Sequence, residues 1–249
     1  MTLTKDITRP DPAIVAKLRD LGAATCAGTL AHLGVRQPHI QGPVSWLKGR
    51  AIAGPALTLL MMPKREDLYG EGEYNDPEKQ LHRHVLYHAQ QGDVVVVDAR
   101  GDMTAGIFGE MMMTYFKGRG GIGMVIDGCV RDYPGQIELD MPMWIRGLTP
   151  NFHTQTGLMP FDFNCPIACG GVTVIPGDII VADDDGAVCV PAAMGAMVIE
   201  HAGVHHDWED FSKHMLLQGG SLQRYYPLSD DARGEYEEWR KSNPPKAPK

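Results

Sequence analysis

Gly92-Asp93-Val94-Val95-Val96-Val97-Asp98 decides the architecture of this chain. Four consecutive β-branched residues leave no polar face, so the segment reads as a strand buried on both sides, as in a parallel sheet covered by helices. A helix over about 82–91 precedes it and ends at Gly92. Beyond it the pattern alternates: loop 100–104, helix 105–117, strand 122–127, loop 128–135 and a strand at Met143-Trp144-Ile145. That order is a βαβ core.

Upstream, Asp11-Pro12 is a helix start, with Asp11 as N-cap and proline at the first helical position. Ile14, Val15, Leu18 and Leu21 share one face, Gly22 ends the helix, and a second helix runs from Thr25 to Gly34. Residues 35–49 read as loop, and 51–60 as strand kinked at Gly54-Pro55. The polar stretch 63–79, rich in glycine, proline and acid, reads as a long loop of the kind that forms lids or binding elements. Downstream, 172–175 and 179–182 read as two strands joined through Pro176-Gly177. Asp183-Asp184-Asp185-Gly186 is a turn, 187–191 a short strand closed by Pro191, and 193–215 a terminal helix. The expected organisation is a single α/β domain over residues 1–228 and a polar tail over 229–249.

Composition narrows the function. The chain has 249 residues, 43% hydrophobic and 22% charged, with a net charge of −8. It is therefore expected to be an ordinary globular protein, and a nucleic-acid binder that works by phosphate neutralisation is disfavoured. Five cysteines in no regular framework point to reduced thiols. The N-terminal segment lacks the apolar core of a signal peptide and no stretch approaches a membrane span, so a cytoplasmic location is expected.

The chemistry concentrates in Met124-Val125-Ile126-Asp127-Gly128-Cys129-Val130-Arg131-Asp132. The apolar residues form a strand end, Gly128 is read as a turn, and Arg131-Asp132 stands at the rim. Arginine offers a planar fork for a carboxylate, and aspartate the hard oxygen that Mg²⁺ or Mn²⁺ prefers. The competing reading is a plain surface ion pair. Gly109-Glu110-Met111-Met112 lies near the start of the preceding helix, where backbone N–H groups and the helix dipole favour an anion; the competing reading is a glycine tolerated for tight helix packing. In a parallel sheet both features fall at the same carboxyl edge.

Other clusters weigh less. His82, His84 and His88 lack an HExxH context and read as a solvated helical face. His205-His206-Asp207-Trp208-Glu209-Asp210 reads as a polar helix face, with Asp207 and Glu209 as candidates for proton transfer. No serine sits in a Gly-x-Ser-x-Gly context, and no lysine in an apolar strand suits Schiff-base chemistry.

Taken together, several co-ordered blocks resemble the family that unites the regulator of ribonuclease activity A with the 4-hydroxy-4-methyl-2-oxoglutarate / 4-carboxy-4-hydroxy-2-oxoadipate aldolases. They are Gly54-Pro55-Ala56-Leu57-Thr58, residues 92–98, Gly109-Glu110, residues 125–132, Pro176-Gly177-Asp178 and residues 181–186. The resemblance spans roughly residues 20–220. It implies a swivelling β/β/α-type sandwich assembled as trimers or hexamers, with sites between subunits. It further implies that the amides of Gly109, Glu110, Met111 and Met112 bind a pyruvate moiety, that Arg131 clamps the substrate, and that Asp132 holds Mg²⁺ or Mn²⁺. Glu209 is the nearest match to a proton-relay glutamate from a neighbouring subunit.

Two positions depart from the family's aldolase pattern: Glu110 stands where a glycine is expected, and Gly135 where an acid is expected. The reading that follows is a metal-dependent carbon–carbon lyase on small 2-oxo acids, by retro-aldol cleavage or oxaloacetate decarboxylation. The alternative is a non-catalytic regulator that binds a ribonuclease or helicase. Asp132 favours the enzyme, because purely regulatory members typically lack that aspartate.

Overall fold

Val94–Gly106 forms the central strand β3 of the computed structural model, which describes residues 5–70, 75–155 and 157–244, without the side chains of 154 and 203–207. On one side β3 pairs in parallel with β2 (Ile52–Pro63), and on the other with β4 (Gly123–Val130), which pairs in parallel with β5 (Met143–Leu148). Antiparallel strands complete an eight-stranded sheet. β1 (Val44–Ser45) lies against β5, β6 (Leu158–Phe163) on β2, and β9 (Ile179–Asp183) with β10 (Gly186–Val190) beyond β2. A separate hairpin joins β7 (Ile167–Cys169) to β8 (Val172–Val174). The expected mixed α/β fold is borne out.

The valine run is buried on both faces, as its composition predicts. Val95 and Val97 pack with Phe108, Met113 and Phe116, while Val94 and Val96 face Ile167, Cys169 and Val174 of the hairpin. Each fully buried valine contributes about 1.5–3 kcal/mol before the entropy of ordering is counted. Helices α2 (Leu81–Tyr87), α3 (Glu110–Gly118) and the short α4 (Tyr133–Glu138) connect the parallel strands in turn.

The N-terminal helix α1 (Pro12–His32) breaks at Gly22, with φ of 80°, and the Asp183 carboxylate accepts the Ala23 N–H at 2.8 Å to restart it. Asp183 is thus structural, as read. The long α5 (Gly195–Leu217) contributes Val198 to the layer that α1 forms over β9 and β10.

Two expectations are corrected. The 105–117 helix starts only at Glu110, because Asp102 caps the N–H groups of Thr104 and Ala105 and β3 resumes to Gly106. Gly128 makes no turn; it lies inside β4, where a side chain would meet Ala99 and the Asp102 carbonyl. The two strands expected at 172–175 and 179–182 are present as β8 and β9, and they lie in different sheets. Beyond α6 (Leu222–Tyr225), the polar tail contains α7 (Arg233–Ser242), which packs Tyr236 and Trp239 on Phe211. Residues 71–74 of the long loop, 245–249 of the tail, and the side chains of His205, His206 and Asp207 lie outside the described residues.

Candidate active site

β4 ends at Val130, and the chain turns sharply there. Asp132 adopts the left-handed conformation, φ 56° and ψ 35°, as the N-cap of α4. A non-glycine residue in this region carries a strain that the surroundings must hold. Buried Gln136 supplies part of that hold, donating to the Arg131 carbonyl at 2.6 Å and to the Phe108 carbonyl at 3.1 Å. The Arg131 N–H donates to the same Phe108 carbonyl, so the rim is tied to the segment leading into α3.

That segment needs to be thin. A Cβ at Gly109 would sit 2.5 Å from Asp132 Oδ2 and 3.0 Å from Arg131 Nε, and one at Gly106 would press on Arg131 Cβ at 2.9 Å. Gly109 is the N-cap of α3 and carries no side-chain cap, leaving the first amides of the helix directed at the same space. Arg131 Nε lies 3.5 Å from Asp132 Oδ2, with the side chains 38% and 45% exposed. A pair that open and that loose stabilises the fold by little. Its geometry is suited to gripping something else.

A cavity of about 170 Å³ lies at this junction. Arg131, Asp132, Gly109, Met111 and Met112 line it, so sequence-predicted residues from two loops meet in one place. Glu110 is the first residue of α3, but its side chain lies over Gly135 and not in the lining. Glu209 stands on α5 and does not line this pocket of its own chain. The volume is well below the roughly 300–1,000 Å³ of drug-sized sites, which restricts the occupant to a small molecule.

The other wall was not foreseen. Gln80, His82, Phe152 and His153 complete the lining. His82 is 2% exposed, against the solvated face expected for it, and its ring lies 3.8 Å from that of His153. Its Nδ1 is buried with no hydrogen-bond partner among the described residues, an arrangement that costs about 1–3 kcal/mol. Burial, and then His153, push the His82 pKa well below the ordinary imidazole value. Burial and the Arg131 and Lys64 charges lower His153 to about 4. Both rings are neutral near pH 7. A signal for His82 existed: it shares its helical face with Val85 and Leu86, both buried, and the same spacing continues to buried Ala89 just past the helix.

Asp132 offers an accessible hard oxygen at the cavity. Among the described residues no group of three or more His, Cys, Asp or Glu side chains converges on one point. A lone carboxylate of this kind could hold a cation such as Mg²⁺, which takes one or two carboxylates and fills its sphere with water and substrate oxygens.

Residues 16–189 match the RraA-like family, described as aldolase/RraA. The chain belongs to that family. Among solved structures, Streptomyces coelicolor RraAS2, described as an unusual member of the RNase ES inhibitor RraA protein family, is 40% identical. Its match covers 83% of this chain and 98% of that one, at a TM-score of 0.77. An uncharacterized Pseudomonas syringae pv. tomato protein shares the fold, with a TM-score of 0.77 at 21% identity over 92% of this chain and all of its own (100%). A Halalkalibacterium halodurans protein named "Putative 4-hydroxy-4-methyl-2-oxoglutarate aldolase" is 39% identical over 117 residues. That match spans 47% of this RraA-like chain and 55% of the relative's length. No described helix is long and apolar enough to cross a membrane.

Proposed function

We propose that this RraA-like protein is a divalent-metal-dependent carbon–carbon lyase for small 2-oxo acids. The observation that supports it best is the meeting of Arg131 and Asp132 with the uncapped amino end of α3 in one small cavity. The Arg131 guanidinium takes the substrate carboxylate through its planar fork, and the amides of residues 110–112 share that charge. Gly109 and Gly106 let the acid approach the backbone closely. Met111 and Met112 line the cavity beside that backbone. Asp132 would hold Mg²⁺ or Mn²⁺, which when bound supplies Lewis-acid stabilisation to the charge that develops on the 2-oxo oxygen.

Cleavage of a 4-hydroxy-2-oxo acid and decarboxylation of oxaloacetate both leave the enolate of pyruvate, so one carboxylate clamp serves both. The hydroxyl proton must leave in the first reaction. Glu209 is proposed to relay it from a second copy of the chain in a trimer or hexamer, since it lies outside the pocket of its own chain.

Pyruvate release from both acids, coupled to lactate dehydrogenase with Mg²⁺ and then with chelator, tests the reading. Arg131→Ala and Asp132→Asn are each expected to lower turnover about 100-fold or more, the scale of losing a charge-stabilising group. Near-normal turnover in either variant contradicts the assignment. A second reading, a regulator of a ribonuclease, draws on the 40% identity to RraAS2. Absence of pyruvate release with any tested acid would favour it.

A further inference from the structure

An aspartate at a helix N-cap ordinarily turns its carboxylate onto the amides of its own first turn. Asp132 does not. It is the N-cap of α4, yet its side chain makes no capping hydrogen bond. Its backbone stands at φ 56° and ψ 35°, in place of the extended conformation usual at that position. The carboxylate reaches back toward α3, where a Cβ added at Gly109 would lie 2.5 Å from Oδ2, and it lines the cavity with Arg131. Pro134 takes the second helical position and has no N–H, so Gly135 offers the amide that a relaxed Asp132 would claim.

Gln136, one turn further along α4 and fully buried, holds this arrangement. Its Nε2 donates to the Arg131 carbonyl at 2.6 Å and to the Phe108 carbonyl at 3.1 Å. The φ torsion of Asp132 turns the Arg131–Asp132 peptide, so a fixed Arg131 carbonyl fixes φ. The Gln136 N–H holds the other side, donating to the Asp132 carbonyl at 3.1 Å. This hold leaves Gln136 Oε1 buried with no hydrogen-bond partner among the described residues. The reverse orientation would set that oxygen against two carbonyl oxygens. Native interiors keep few such unpaired atoms, and a methionine here would have none. A side chain retained at that cost is a candidate for a role in function.

We infer that Gln136 is a positioning residue: it holds Asp132 left-handed, which stops the carboxylate from capping its own helix and keeps it in the pocket. Without the Gln136 amide, Asp132 relaxes to extended backbone and its carboxylate turns to the Gly135 N–H. The helix then gains a cap while the pocket loses its acid. Stability and function move in opposite directions. The inference rests on the lyase reading for what the acid does in the pocket, and not for where it stands.

Gln136→Met keeps the length of the side chain and removes both donors. Its crystal structure should show Asp132 at negative φ with the carboxylate on the Gly135 N–H. The melting temperature should stay within about 4 °C of the wild type or rise, since a cap replaces the lost bonds. Isothermal titration of the full chain with oxalate, a mimic of the pyruvate enolate, in the presence of Mg²⁺ should show binding weakened about 10- to 100-fold, the scale of losing a group that orients a metal ligand. Gln136→Glu adds a second arm: ionised, it repels the two carbonyls, and protonated, it donates to one of them. Its oxalate affinity relative to the wild type should recover as pH falls from about 8 to about 6, because burial raises the pKa of the new acid. The methionine variant should show no such recovery. A left-handed Asp132 in Gln136→Met overturns the inference, and so does oxalate affinity unchanged in both folded variants. If neither variant folds it is overturned too, since Gln136 would then hold the fold and not the acid. Should the variants behave as expected while no 2-oxo acid releases pyruvate, the positioning stands and the lyase reading falls. Pyruvate release with wild-type kcat and KM in both variants does the reverse. If the wild type binds no oxalate, the lyase reading falls and the Asp132 torsion in Gln136→Met decides the positioning.

Discussion

The Glu110 side chain lies across Gly135, so that a Cβ added at position 135 would overlap the Glu110 carboxylate and come within 2.8 Å of its Cγ. These are the two positions at which the chain departs from the aldolase pattern it resembles. They are one feature in space. The volume that an acid at 135 would fill is taken by a carboxylate arriving from α3, and the glycine is what admits it.

A double-mutant cycle follows from that contact. Gly135→Ala in the native background sets a helix-propensity gain of about 1 kcal/mol against displacement of Glu110, for a net change near zero or unfavourable. In an Glu110→Ala background the same change should stabilise by about 0.5–1 kcal/mol. Urea denaturation of the four proteins reads the coupling, and simple additivity would show that the two positions do not interact.

Gly109→Ala tests the closeness of the rim. The backbone there is extended, with φ of −106°, and accepts alanine without strain, yet the new methyl would crowd both Asp132 and Arg131. Turnover should fall about 10- to 100-fold, as expected for a displacement near 1 Å. The melting temperature should move by only a few degrees. Unchanged turnover would mean that the pair has no fixed position in the reaction.

Acid should unfold this protein in part through its buried imidazoles. The His153 pKa is about 4 in the folded state, driven down chiefly by burial, against the ordinary 6.5 of an unfolded chain. Above pH 6.5 neither state is protonated and the group is silent. Below it the unfolded chain takes up a proton that the folded state refuses, so stability drains away as pH falls from 6.5 toward 4, by up to about 3 kcal/mol. His82 acts in the same direction. Denaturation midpoints for the wild type and His153→Asn, measured from pH 7.5 to 4.5, should diverge with the variant losing less. Parallel curves would argue against a neutral buried ring.

Arg9 anchors the N-terminal segment at the opposite end of β3 from the cavity. Its guanidinium contacts the fully buried Asp93 carboxylate at 2.8 Å and donates to the His88 carbonyl at 2.9 Å. Arg9→Ala leaves Asp93 charged and buried, with only the Gln90 N–H among the described residues still donating to it, at 2.8 Å. The expected loss is about 3 kcal/mol, the size found when one partner of a buried pair is removed. A loss below 1 kcal/mol in guanidinium denaturation would show that the pair is only a surface ornament.

What the sequence alone determined is whatever short-range pattern can encode. The valine run announced a strand covered on both faces, Asp11-Pro12 and Gly22 marked a helix and its break, and Arg131-Asp132 was placed at the end of a parallel strand. Periodicity and turn chemistry are local properties, so these survive without any knowledge of neighbours. Only the tertiary structure decided that β3 resumes past Asp102 to Gly106, that Glu110 leans over Gly135, and that His82 meets His153 in the wall of the pocket. Those outcomes depend on side chains far apart in the chain competing for the same space. His82 shows the boundary between the two: its burial was written in the spacing to Val85, Leu86 and Ala89, but its partner and its cavity were made by packing.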